Sequence, residues 1–214
     1  MKLLGFVAIV AVAGTLGAAT PTVASAEGWR INGTELSGSA ALATTAAITG
    51  YFTLSAIGVR IECTGGTLDA VNAKLKSPNT GFAESLAFQE CRPQAGDGCS
   101  LEGSTIRTKP LTITARKPVE IGLGLEIELG FAPKTGTLIT TLSFSGAECV
   151  MEGTQPVTGH IEAEGRTGHM ERTLQEVYVN VEQSSNELHL GSGDAALNVI
   201  FLLKLAAEKP WSFM

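Results

Sequence analysis

Across residues 119–131 every odd position is apolar, namely Val119, Ile121, Leu123, Leu125, Ile127, Leu129 and Phe131, and every even position is Glu or Gly. Successive side chains of a strand point to opposite faces, so this pattern puts all seven apolar groups on one face. A helix would scatter them around its circumference. The stretch is predicted to be one long half-buried strand, or two strands broken near Gly122 and Gly124. The same alternation recurs at Ile57, Val59, Ile61 and Cys63, at Leu111, Ile113 and Ala115, and at Val177, Val179 and Val181. Between such runs lie the turn formers Ser77-Pro78-Asn79, Ala132-Pro133-Lys134-Thr135-Gly136 and Gly191-Ser192-Gly193-Asp194. Proline fixes φ and glycine permits positive φ, which is what reversing the chain requires. Many short strands separated in this way predict an all-β, single-domain antiparallel β-sandwich or flattened barrel.

Two segments lack this clarity. Residues 36–49 are Ala- and Thr-rich without a period and read as a loop followed by a strand. In residues 195–208, Leu197, Ile200, Phe201, Lys204 and Leu205 follow helical spacing, and Asp194 is a suitable cap. The β-branched and aromatic content of Asn198-Val199-Ile200-Phe201 nevertheless favours a buried strand.

Residues 1–26 have the layout of a cleaved leader: Lys2, an apolar run from Leu3 to about Gly17, and the small-x-small site Ala24-Ser25-Ala26. The run is short for a membrane span and is interrupted by Gly14 and Gly17. The expected product is a single β domain covering residues 27–214, secreted or otherwise extracytoplasmic, with no membrane span in the mature chain. Lys2 is the leader's only charge, so its removal leaves a chain one unit more acidic than the −6 of the whole sequence. That balance disfavours nucleic acid and anionic lipid as partners. With 44% hydrophobic and 17% charged residues, the chain has the apolar content of a packed domain rather than of a disordered one.

Export makes the four cysteines, Cys63, Cys91, Cys99 and Cys149, a disulfide framework. Three pairings are possible. Pro93, Gly96, Asp97 and Gly98 between Cys91 and Cys99 form a turn that brings its ends together, so the expected bonds are Cys91 with Cys99 and Cys63 with Cys149. The seven-residue spacing is unlike that of zinc ligands, and no cofactor is expected. The hexapeptides Cys99-Ser-Leu-Glu-Gly-Ser104 and Cys149-Val-Met-Glu-Gly-Thr154 echo each other. They read as similar strand-to-turn junctions rather than as a duplicated domain.

Three features together resemble a group of uncharacterised exported bacterial all-β proteins with no assigned function. They are Trp29-Arg-Ile-Asn-Gly33, the block from Val119-Glu-Ile-Gly-Leu123 to Phe144-Ser-Gly-Ala-Glu-Cys149, and the closing Glu187-Leu-His-Leu-Gly191 to Lys209-Pro-Trp211. The resemblance implies an extracytoplasmic location and an all-β fold, and it carries over no active site.

The best candidate for chemistry is His160, Glu162 and Glu164, which alternate on one strand face, followed by His169. One or two imidazoles with two carboxylates would suit a zinc or calcium ion. The competing reading is a solvated face whose reverse carries Ile161 and Ala163. Glu120, Glu126 and Glu128 likewise share a face, and paired carboxylates about 5 to 9.5 Å apart are what glycoside hydrolysis uses. No nucleophile elbow, P-loop or dinucleotide-binding glycine motif is present. Asn32-Gly33-Thr34 matches a glycosylation acceptor. Trp29 and Trp211 are candidate sugar-stacking rings, although such residues more often cover the end of a core. The expected function is a secreted or cell-surface, non-catalytic structural or binding module, partnered by an extracellular protein or an envelope polysaccharide. The alternative is a secreted metal-dependent or glycoside hydrolase using residues 160–169.

Overall fold

The computed structural model describes residues 27–44, 51–54, 59–63, 69–94, 98–121, 124–165, 170–179 and 188–214. Residues 1–26, expected to be a leader, and Ile57, Leu123, His169 and Val181 lie outside them. Every regular element among the described residues is a strand. In chain order these begin with β1 (Trp29–Ile31), β2 (Thr34–Glu35), β3 (Ser39–Thr44), β4 (Tyr51–Leu54), β5 (Val59–Cys63) and β6 (Asp69–Val71). Next come β7 (Lys74–Lys76), β8 (Thr80–Ala83), β9 (Ser85–Phe88), β10 (Cys91–Pro93), β11 (Ser100–Leu101) and β12 (Ile106–Arg107). The central strands are β13 (Leu111–Ile121), β14 (Gly124–Pro133), β15 (Leu138–Ser145), β16 (Gly153–Thr158) and β17 (Ile161–Gly165). The last are β18 (Leu174–Val179), β19 (Leu188–Leu190), β20 (Gly193–Ala195), β21 (Val199–Leu205) and β22 (Trp211–Phe213).

Eight strands close into an antiparallel barrel in the order β13-β14-β17-β18-β21-β3-β7-β8, with β8 returning to β13. The 119–131 run is two strands rather than one: β13 ends at Ile121, β14 begins at Gly124, and the two pair as a hairpin. A register shift between Arg116 and Val119 marks a bulge, which bends β13 into the curve of the wall. The 199–205 segment is a barrel strand, and 39–44 supplies the strand that pairs with it. Alternation carries through to burial: Leu111, Ile113, Ala115, Ile127, Leu129 and Phe131 are all buried. An eight-stranded barrel is just wide enough for side chains to fill.

Two inward glycines show how tight that filling is. A Cβ on Gly165 would stand 2.5 Å from Ile127 Cγ1, and one on Gly81 would stand 2.9 Å from the Lys74 carbonyl. Gly165→Ala is therefore expected to destabilise the protein by about 1–3 kcal/mol, the usual cost of overpacking a core. Thermal unfolding followed by circular dichroism checks this, and an unchanged midpoint would show that the wall yields.

Four further sheets pack on the barrel: β2-β1-β22, β10-β5-β4, β12-β9-β6 and β11-β15-β16-β19-β20. The buried apolar side chains of barrel and sheets form one continuous cluster. The sheet β2-β1-β22 joins the two ends of the described chain: Trp29 lies opposite Phe213 and Ile31 opposite Trp211. Gly28 and Met214 exchange backbone hydrogen bonds just beyond them.

The disulfides correct the sequence expectation. The bonds are Cys63–Cys91 and Cys99–Cys149, and no cysteine among the described residues is free. Cys63 and Cys91 are direct cross-strand partners of β5 and β10, so strand pairing brings their side chains together. Cys99 leads into β11, whose Ser100 lies opposite Ser145 of β15, and this register carries Cys99 to the turn at Gly146 to Cys149. Long-range pairing thus overrode the local turn expected between Cys91 and Cys99, of which Gly96 and Asp97 lie outside the described residues. The two echoing hexapeptides prove to be bonded to each other through their first residues, and the glycine of each, Gly103 and Gly153, has positive φ.

Candidate functional site

The outer wall of the barrel holds the sequence-predicted cluster. Arg116 of β13 lies opposite Glu128 of β14, which lies opposite Glu164 of β17, which lies opposite Tyr178 of β18. Arg116 Nη1 donates to Glu128 Oε1 at 2.9 Å and stands 3.7 Å from Glu162 Oε1. His160, just before β17, places Nε2 3.6 Å from the same Glu162 oxygen. Glu162 therefore sits between a guanidinium and an imidazole, beside an open groove bordered by Thr114, Gly130, Thr137 and His160. With Arg116 64% exposed, water screens these pairs, and each is worth about 0–1 kcal/mol.

This arrangement fixes what the cluster can do. Arg116 supplies a permanent cation where a metal reading would need an ion to neutralise Glu162. Among the described residues no three His, Cys, Asp or Glu side chains converge as a ligand set. His160 and Glu162 do come together, while His169 lies outside the described residues, as do the side chains of Glu120 and Glu126.

Trp29 and Trp211 require a correction. Each is 1% exposed, so neither presents a face on which a sugar could stack. Their ring centroids are 5.9 Å apart, and Phe213 meets Trp29 edge-on at 5.0 Å. The Trp29 indole N–H donates to the Thr80 carbonyl at 2.8 Å, which ties the terminal sheet to the barrel strand β8. The pairing of the chain ends buried these rings, and they serve as a plug of the core.

Two features escaped the sequence reading. Gln175 is 1% exposed, and its Nε2 donates to the carbonyls of Met170 at 2.9 Å and Trp211 at 2.5 Å. It fastens the 170–172 segment to β22. Its signal was legible, since it occupies the inward register of Val177 and Val179 two residues upstream. The second feature is a His189 Nδ1 to Asp194 Oδ1 contact of 3.2 Å across the β19–β20 hairpin. The Gly191-Ser192-Gly193 turn foreshadows it.

Lys204 Nζ lies 2.8 Å from Glu208 Oε1. The hydrogen bond from Lys204, and then its charge, hold the Glu208 carboxyl below its ordinary value of 4.5. A carboxyl whose folded value is depressed adds stability above its unfolded value and loses it as pH falls through the folded one. Glu208→Gln should thus lower stability slightly at neutral pH, and the difference should fade as pH falls below 4.5. Denaturant titrations of both proteins across that range check it, and a difference that grows on acidification would contradict the assignment.

The enclosed void between barrel and outer sheets, bordered by Phe88, Ile106, Ile139, Val157, Leu188 and Leu197, has a volume of about 10 Å³. It could hold little more than one water molecule. No helix among the described residues is long and apolar enough to cross a membrane. The barrel wall carries Lys74, Lys76, Arg116, Glu128 and Glu162 outward, where a lipid-facing barrel has an apolar band.

No protein-family model, curated protein or solved structure matches the chain.

Proposed function

We propose that this chain is an exported, non-catalytic structural or binding module that works outside the cytoplasm, with an extracellular protein or an envelope polysaccharide as its partner. We include in this reading its kinship with the exported bacterial β proteins that its motifs resemble. The observation that carries it is the division of the barrel into an apolar, filled interior and a polar outer wall on which Arg116 offsets Glu128 and Glu162. An enzyme needs groups of matched pKa converging in a concave, partly dry site. Glu162 instead shares Arg116 with Glu128 at a solvated surface. The two disulfides support export, because such bonds persist in oxidising compartments.

The test is elemental analysis and turnover on the protein purified without chelator, together with a binding assay against envelope proteins and polysaccharide. The expected result is no stoichiometric metal, no turnover of glycoside or ester substrates, and saturable retention of the protein by one envelope fraction. About one zinc or calcium per chain, lost in His160→Ala or Glu162→Ala, would replace this reading with the hydrolase one.

A further inference from the structure

Asn32 and Gly33 form the two-residue turn between β1 and β2, with Ile31 opposite Thr34. Both are exposed, and both have positive φ, 49° and 73°, the type I′ combination that suits a tight hairpin. Three contacts fasten this turn to the barrel end. Ile31 pairs with Trp211, the Asn32 N–H donates to the Pro210 carbonyl at 3.1 Å, and the Gly33 N–H donates to the Glu171 carboxylate. Glu171 is itself anchored, because the backbone of the adjacent Arg172 bridges to Trp211.

An asparagine followed by glycine can modify itself, because no Cβ hinders the glycine nitrogen. The Gly33 nitrogen attacks Asn32 Cγ, the new N–Cγ bond forms, and the Cγ–Nδ2 bond breaks. The Gly33 amide proton departs with the leaving group as ammonia. Water then opens the five-membered imide at either carbonyl to leave aspartate or isoaspartate. Attack needs the nitrogen about 3–3.5 Å from the carbon. In a type I′ turn the first central residue has ψ of about +30°, which aims the following nitrogen away from the side chain. Ring closure therefore requires turning the Asn32 Cα–C bond by more than a right angle. That rotation carries the Gly33 N–H off Glu171 and peels β2 from β1.

We propose that Asn32 is a self-modification site and that the Glu171 carboxylate is the latch that holds it unreacted, by fixing the Gly33 N–H in the unreactive turn. Isoaspartate would insert one extra backbone atom into the turn. The hydrogen bonds to Pro210 and Glu171 could then no longer both form, and the sheet over Trp29 and Trp211 would lose its end. The state of Asn32 is thus a clock on the terminal sheet that covers the Trp29 and Trp211 rings.

The test is peptide mapping of residue 32 over time in the folded, disulfide-bonded protein at mildly alkaline pH, for the wild type, Glu171→Ala and Glu171→Gln. Glu171→Ala is expected to convert about tenfold faster than wild type, the factor carried by one hydrogen bond to a charged group. Glu171→Gln keeps an acceptor oxygen without the charge and should convert at a rate between the two. Equal rates in all three overturn the latch. Slower conversion in both variants also overturns it, because Glu171 would then be the base that takes the Gly33 proton. Should Glu171→Ala not fold, amide exchange in the wild type decides: protection of the Gly33 N–H supports the latch, and exchange at the free-peptide rate overturns it.

Discussion

Trp29→Ala is expected to lower the stability of the folded protein by about 3–5 kcal/mol, the range for removing a large buried aromatic side chain. The ring is 1% exposed, packs on both Trp211 and Phe213, and fastens β1 to β8 through its hydrogen bond to Thr80. Its removal leaves a cavity at the barrel end and takes the indole donor from the partly buried Thr80 carbonyl. Trp211→Ala should cost a similar amount, with one offset: the Trp211 indole N–H is buried without an acceptor among the described residues. Urea unfolding measures both changes. The chain has two tryptophans in all, so their emission should be blue-shifted in the native protein and report this cluster directly. A loss under about 1 kcal/mol would mean that the terminal sheet is dispensable to the core.

Removing both disulfides should be the other large effect. Cys99–Cys149 spans a sequence separation of 50 and Cys63–Cys91 one of 28. In the chain-entropy account these bonds stabilise by about 4 and about 3.5 kcal/mol. Together they rival the whole stability of a typical domain, about 5–15 kcal/mol. The double replacements Cys99→Ala with Cys149→Ala, and Cys63→Ala with Cys91→Ala, should each shift the denaturant midpoint strongly downward. Non-reducing peptide mapping should yield one peptide joining Cys63 to Cys91 and another joining Cys99 to Cys149. A peptide joining Cys91 to Cys99 would contradict the register of β11 on β15.

What the sequence revealed and what it hid follow from the range of the interactions involved. Alternation is local, so the strands at 111–115, 127–131 and 177–179 were legible from residues two apart. The choice between helix and strand at 199–205 was legible too, because β-branched and aromatic side chains suit a pleated surface. Closure into a barrel was not, since it depends on β3 meeting β21 and β8 meeting β13, partners that no local pattern names. The disulfides failed for the same reason: turn formers between Cys91 and Cys99 are a local signal, but β10 pairs back to β5 and β11 goes to β15. Trp29 and Trp211 stand near the two ends of the described chain and far apart in sequence. Only the pairing of those ends buries them. At the candidate site, the sequence put Glu162 and Glu164 on one strand, yet Arg116 arrives from a strand some forty-five residues earlier and changes what Glu162 can do.

The pairing of β3 with β21 also sets the order in which the chain can fold. Leu42 lies opposite Leu205, near opposite ends of the sequence, so no early segment can complete the barrel. A chain that emerges from its N-terminus must wait, with β3 unpaired on one side, until β21 arrives. Contacts between such distant segments close large loops before they gain any packing, and folding dominated by them is slow. During that wait the barrel stands open between β18 and β3, and unpaired strand edges are then open to other chains. Wherever the chain is made, it is therefore expected to need the protection of chaperones for as long as β21 takes to reach β3.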